Sequence, residues 1–235
     1  LSAVVLIGWG TFFEPPQVKK QIENNQTTEN DKNSSPSIEG ELSKKKITRS
    51  EAINTSERIK IENSNIKGTM SLRGAVIDDI TFKNYKKDLN GEENVVFLNP
   101  KNSEKEYFIE TGWAAQGNDK IKLPLDDTLW TVKGNKLLTP NNPVTLEWDN
   151  KEGLLFSKKI ELDNKFLFKI SQEIKNTSNK SFVLYPYAQI TKNYKTDERK
   201  IYILHEGFLG VFGDELKEED YSDIEKNKFT VNASR

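Results

Sequence analysis

The sequence predicts an all-β, mainly antiparallel sandwich with a short N-terminal helix, and three observations carry that prediction. Apolar side chains alternate with polar ones through Val144, Leu146 and Trp148, through Leu154 and Phe156, Ile160 and Leu162, and through Phe166, Phe168 and Ile170. Turn-forming stretches (DNKEG, Asp163-Asn164 and NTSNK) interrupt the alternation roughly every dozen residues. Helical signals are sparse, so the strands have no crossover helices with which to build a parallel sheet.

Taken in order, Thr48 with Glu51 three residues later forms a capping box and opens a short helix over SEAINTS. RIKIEN is the first strand. Ile66 to Leu72 and Ala75 to Phe82 flank the turn at Arg73-Gly74, and Gly91 precedes the apolar run Val95, Val96, Phe97, Leu98. The alternating region from Val144 to Ile170 follows, and Phe182 and Leu184 resume its pattern. Further on, Gly207, Gly210 and Gly213 punctuate YILHEGFLGVFGDEL, the acidic run to Asp223 reads as an exposed loop or short helix, and NKFTVNA at 227–233 reads as a final strand. From residue 48 onward the chain holds enough Leu, Ile, Val and Phe for a two-sheet core.

The segment before that core is different. Residues 1–13, LSAVVLIGWGTFF, carry no charge and are followed at once by Glu14, Pro15 and Pro16. Thirteen helical residues cover about 20 Å of a roughly 30 Å hydrocarbon core. The segment can be a signal-peptide core, a buried helix or the outer part of a transmembrane helix. The third reading is preferred, because the chain starts at Leu1 without a basic region and no small-residue cleavage site follows. Residues 14–47 are mostly Asn, Gln, Thr, Ser, Glu and Lys, and such a polar stretch cannot offset its ordering entropy by burial. It is expected to be a disordered linker spanning roughly 30 Å.

Composition excludes many activities. The chain has 235 residues, no Cys and one His, which removes disulfides, thiol nucleophiles, Cys-ligated metals and any reaction needing two imidazoles. Lys and Arg number 35 against 36 Asp and Glu, so no general nucleic-acid affinity is expected. No cofactor or metal site is expected either. His205 and Glu206 are the adjacent imidazole and carboxylate available for acid–base work, but a lone His at a strand end is more often structural. Asp78-Asp79 and Asp126-Asp127 read as turn and edge acids. Tyr185, Pro186 and Tyr187, with Tyr194 and Tyr202 nearby in sequence, could line a groove for sugar or peptide, whereas Trp113, Trp130 and Trp148 read as core or cleft wall.

Several stretches resemble one family closely: LRGAVIDDITFKNY at 72–85, ETGW at 110–113, LPLDDTLWTV at 123–132, LTPNNPVTLEWDN at 138–150, LYPYAQI at 184–190 and YILHEGFLGVFGDEL at 202–216. They are similar to the N-terminal part of the YidC membrane protein insertases, most of all to alphaproteobacterial members. The resemblance implies a truncated transmembrane helix over 1–13, a linker over 14–47, and over 48–235 a periplasmic β-supersandwich related to the galactose mutarotase-like fold. It further implies a non-enzymatic protein of the bacterial inner membrane, anchored by its N-terminal segment. This protein would assist the insertion and folding of nascent inner-membrane proteins with and without the Sec translocon, beside SecD/SecF and SecYEG. The groove that receives substrate in the family lies beyond residue 235. Partner contact is expected within residues 160–212, with Tyr185, Tyr187, Tyr202 and His205 as its candidates. A periplasmic carbohydrate-binding or aldose-epimerase-like protein is the alternative, although mutarotation in that class uses two His and this chain has one.

Overall fold

A computed structural model describes residues 46–115, 121–193, 205, 207–212 and 214–224. The apolar segment 1–13 and nearly all of the linker 14–47 lie outside the described residues. Lys46 and Ile47, expected at the linker's end, already join the fold: Ile47 N–H donates to the Asn102 carbonyl at 3.1 Å, and Lys46 Nζ is 2.5 Å from Glu106 Oε1. The chain divides into two compact units, the first ending at Asn193 and the second beginning at Tyr194.

The first unit opens with α1 (Arg49–Ile53), whose start is set by the expected capping box. The Glu51 N–H donates to Thr48 Oγ1, and the Thr48 N–H donates to Glu51 Oε2 at 2.8 Å. There follow β1 (Arg58–Glu62), β2 (Ile66–Ser71), β3 (Val76–Lys86), β4 (Asn94–Leu98), β5 (Tyr107–Ala115), β6 (Thr131–Lys133), β7 (Leu137–Leu138), β8 (Val144–Asp149), β9 (Leu154–Leu162), β10 (Phe168–Asn176) and β11 (Leu184–Lys192). One sheet has seven strands in the order β11-β5-β3-β2-β1-β7, with β4 also on β3. The other has four in the order β10-β9-β8-β6. All pairings are antiparallel except the short β1–β7 contact. The expected all-β antiparallel sandwich is therefore the fold observed.

At eleven residues, β3 is long enough to meet β5 at Ile77 and β4 from Ile80 to Lys86. The β2–β3 turn needs glycine: Gly74 has φ +72°, and a Cβ there would lie 2.7 Å from the Asp126 carbonyl oxygen. The inner faces of the two sheets close over Ile59, Ile61, Met70, Leu138, Leu146, Phe156 and their neighbours, which are all buried. Trp113 and Trp130 belong to this core, as expected, and Trp148 packs half-buried against it. The strands β9 and β10 were legible as separate alternating runs; Leu154 to Leu162 form one continuous strand, with Lys158 at an inward position between Phe156 and Ile160.

Two corrections concern acidic residues. Asp78 and Asp79 are not turn or edge acids: both are buried in β3, where Arg58 and Arg49 neutralise them. The acidic run after Gly213 is not principally a loop or helix. In the second unit β12 (Gly207–Phe212) pairs with β13 (Glu215–Asp220), and among its described residues only the single turn α2 (Tyr221–Ile224) is helical. The strand expected at 227–233 lies outside the described residues.

At one end of the sandwich the β1–β2 turn clasps the β9–β10 turn. Asn63 Nδ2 donates to the carbonyls of Asp163 and Lys165, both at 2.9 Å, while Asn63 Oδ1 accepts from the N–H groups of Asn65 and Ile66. Asn63 is buried, so truncation would strand several polar groups at once. Asn63→Ala is expected to lower stability by about 1–3 kcal/mol in urea unfolding, with an unchanged denaturant slope. A loss no larger than that of an exposed Asn→Ala control would show that the clasp contributes nothing.

Candidate functional site

Alternation places one charged residue, Lys158, inside the sandwich. Lys158 points inward from β9 and is 2% exposed. Its Nζ donates to the Thr111 carbonyl on β5 at 2.5 Å and stands 4.8 Å from the Trp130 ring centre and 5.7 Å from that of Trp113. Glu110 on β5 has the opposite parity to the core residues Ile109 and Trp113; it is buried on the other face of that sheet and lies 3.5 Å from Lys101 Nζ, which is in turn 3.6 Å from Asp126. Tyr187 of β11 pairs with Gly112, and a Cβ on Gly112 would lie 2.5 Å from the Tyr187 hydroxyl, so glycine makes room for the phenol.

Burial sets the proton affinities here. It pushes the Lys158 ammonium down to about 7, against the pull of the Glu110 carboxylate. It pushes the Tyr187 phenol up to about 12, with Glu110 adding to the effect. Across the sheet, burial raises Asp78 to about 6 despite the Arg58 guanidinium beside it.

A lysine near neutrality beside a carboxylate and a phenol has the residue types of an acid–base site, but it lacks room for a substrate. The cavity bordered by Lys158, Glu110, Trp130 and Tyr187 measures about 10 Å³, enough for about one water molecule. A larger cavity of about 150 Å³ opens beneath α1, and its charged lining is balanced: Arg58, Arg73 and Lys101 face Asp78, Asp126 and Asp127. Among the described residues no group of three or more His, Asp or Glu is arranged to hold a metal ion.

Three of the four residues expected at a partner surface are among the described residues. Tyr185 and Tyr187 share β11, Tyr185 exposed and Tyr187 half-buried against Gly112. His205 belongs to the second unit, where its Nδ1 is 3.0 Å from Asp220 Oδ1. Tyr202 lies outside the described residues. Lys158 and Glu110 were missed by sequence reasoning, yet a signal existed: Lys158 occupies the inward parity of β9, flanked at i−2 and i+2 by Phe156 and Ile160.

These features define a β-sandwich domain whose interior charges are spent on one another and whose accessible chemistry lies on its surface. Comparison with known proteins gives the class directly, since residues 58–235 match the family model of the YidC periplasmic domain. The chain is 44% identical to the membrane protein insertase YidC of Pelagibacter ubique over 98% of its own length, and 35% identical to those of Beijerinckia indica and Rickettsia akari, each over 97%. It spans 40–41% of the length of these relatives. The chain belongs to the YidC family of membrane protein insertases, and its folded part is the periplasmic domain of an inner-membrane protein.

The buried lysine makes a pH prediction. Its proton affinity in the folded state is below the unfolded value, so unfolding takes up a proton between about pH 7 and 10.5. Stability therefore rises with pH across that window and is lowest below pH 7. The thermal midpoint of the wild-type chain is expected to rise from pH 7 to pH 9 relative to Lys158→Met, whose own profile is flat over that interval. Parallel profiles would show that Lys158 does not titrate in this window.

Proposed function

We propose that this chain is the docking and chaperone-like module of an insertase, and that it contacts nascent inner-membrane proteins and the SecD/SecF and SecYEG components at the periplasmic face. Residues 1–13 hold it to the membrane, and it carries no enzymatic activity of its own. The observation that supports this most is β11. Among the described residues it ends the strand order of the seven-stranded sheet and exposes Tyr185 and Ile190, with Val183 just before it. A nine-residue strand at a sheet edge with apolar side chains outward is a template on which an extended segment can add. Tyr185 is its most exposed aromatic, whereas Tyr187 is committed to packing on Gly112.

The carbohydrate-binding or aldose-epimerase reading is not favoured. Family membership points elsewhere, and the interior Lys158–Glu110 group faces a cavity far too small for a sugar ring.

A photoreactive residue in place of Tyr185 is expected to crosslink the full chain to SecF or to an emerging client, and Ile190→Glu is expected to reduce the yield. Equal crosslinking from Lys133, on a strand of the other sheet, would remove β11 as the contact. The same chain, expressed in cells depleted of YidC, is expected not to restore insertion of a Sec-independent client, since a polar path through the bilayer is needed to carry charge across it. In polarimetry, freshly dissolved glucose or galactose is expected to mutarotate no faster with the protein than without. Acceleration lost in His205→Ala would overturn the non-enzymatic reading.

A further inference from the structure

The end of the sandwich clasped by Asn63 carries a continuous aromatic cluster that extends from the edge of the core to the surface. Phe82 is its centre, with ring centres 5.5 Å from Tyr85, 5.0 Å from Phe97 and 5.7 Å from Phe166; Phe97 continues to Tyr107 at 5.3 Å. These rings come from β3, β4, the start of β5 and the β9–β10 turn. Two hairpin tips project there. Between β3 and β4, Leu89 is fully exposed; in the β9–β10 turn, Leu167 is 67% exposed beside Phe166 at 47%. Large apolar side chains at turn tips, where polar residues are the rule, mark an interaction surface.

Both tips are held in place. The β9–β10 turn is fixed by Asn63 and by Asn65, whose Nδ2 donates to the Asn164 carbonyl at 2.8 Å. The β3–β4 tip is closed by Lys86 Nζ donating to the Glu92 carbonyl at 2.7 Å and by the Lys87–Glu93 ion pair at 2.5 Å.

Charge narrows the choice of occupant. On the two tips Lys83, Lys86, Lys87 and Lys165 stand against Asp88, Glu92, Glu93 and Asp163, so the surface has no net sign with which to select an acidic or basic protein. Apolar and aromatic side chains interleaved with lysines are instead the composition that settles at a bilayer interface. The preceding chain supplies the second argument. The fold begins at Lys46, whose Nζ pairs with Glu106, the neighbour in sequence of Tyr107 in this same aromatic cluster. The uncharged residues 1–13 precede that point by 32 residues of sequence, 14–45. A bilayer holding them is within reach of this end.

We propose that this end of the sandwich rests on the inner membrane, with Leu89, Phe166 and Leu167 entering the interfacial region of the periplasmic leaflet. The inference goes beyond the docking role of β11 and draws only on the reading of residues 1–13 as membrane-bound. Because apolar tips make the contact, it persists on phosphatidylethanolamine vesicles whether or not phosphatidylglycerol is added.

The absence of Cys permits a direct test on the full chain. Single Cys variants Leu89→Cys, Lys175→Cys and Ser2→Cys are labelled with an environment-sensitive fluorophore and mixed with vesicles containing spin-labelled lipid. Lys175 lies at the opposite end of β10 from the tips and is exposed. The label at 89 is expected to shift to shorter wavelength and to be quenched, the label at 175 to stay aqueous, and the pair Phe166→Glu and Leu167→Glu to return the label at 89 to its aqueous spectrum. An aqueous label at 89 beside a quenched label at 2 would overturn the inference and leave the anchor reading standing, with a protein as the occupant of this surface. An aqueous label at 2 beside a quenched label at 89 would refute the anchor reading and support the inference. A label at 89 that is already apolar without vesicles would overturn the inference, because the protein itself would then cover the tip.

Discussion

The contact between β5 and β9 is the constraint on which the sandwich depends. Trp113 packs edge-on against Phe156 with ring centres 5.1 Å apart, and Lys158 reaches from the same strand as Phe156 to the Thr111 carbonyl beside Trp113. The apolar part of this contact supplies burial that is insensitive to direction. The polar part adds direction, because a buried ammonium must find its acceptor and its aromatic faces or lose more in desolvation than it gains. Sheet spacing and register at the centre therefore follow from one strand pair, and the flanking strands inherit both.

The same logic explains why so many charged residues can lie inside. A bulge in β3 sets Asp78 and Asp79 together on the face away from the core residues Ile77 and Ile80, and each meets its own arginine, Arg58 from β1 and Arg49 from α1. The capping box that starts α1 thus has a tertiary consequence, since it sets the helix from which Arg49 reaches Asp79. Glu110 is served by Lys101 from the β4–β5 loop. The buried acids of this sheet are thus each paired with a cation brought by α1, β1 or the β4–β5 loop.

The surface is divided. Among the described residues β11 lies at the edge of its sheet, and the aromatic cluster lies at one end of the sandwich. The two are joined through sheet register, because Lys192 at the end of β11 pairs with Tyr107 of the aromatic cluster. A domain resting on the bilayer at that end would hold β11 close above it.

By itself the sequence determined the strand periodicity, the capped helix, the Gly74 turn and, through several long motifs, the family. Each is legible because its cause is local: period-two burial, a hydroxyl and a carboxylate three residues apart, a backbone conformation that only glycine adopts freely. What sequence reasoning placed wrongly or missed has a non-local cause. Asp78 and Asp79 read as edge acids because their arginines are 20 and 30 residues away. Lys158 went unnoticed because the Thr111 carbonyl that accepts its hydrogen bond lies 47 residues earlier. The acidic stretch Glu215–Asp220 became a strand because its register against Gly207–Phe212 outweighs the low strand preference of its carboxylates. Phe82, Phe97 and Phe166 form one surface only after two sheets close, since pairing and packing, not spacing along the chain, decide which side chains become neighbours.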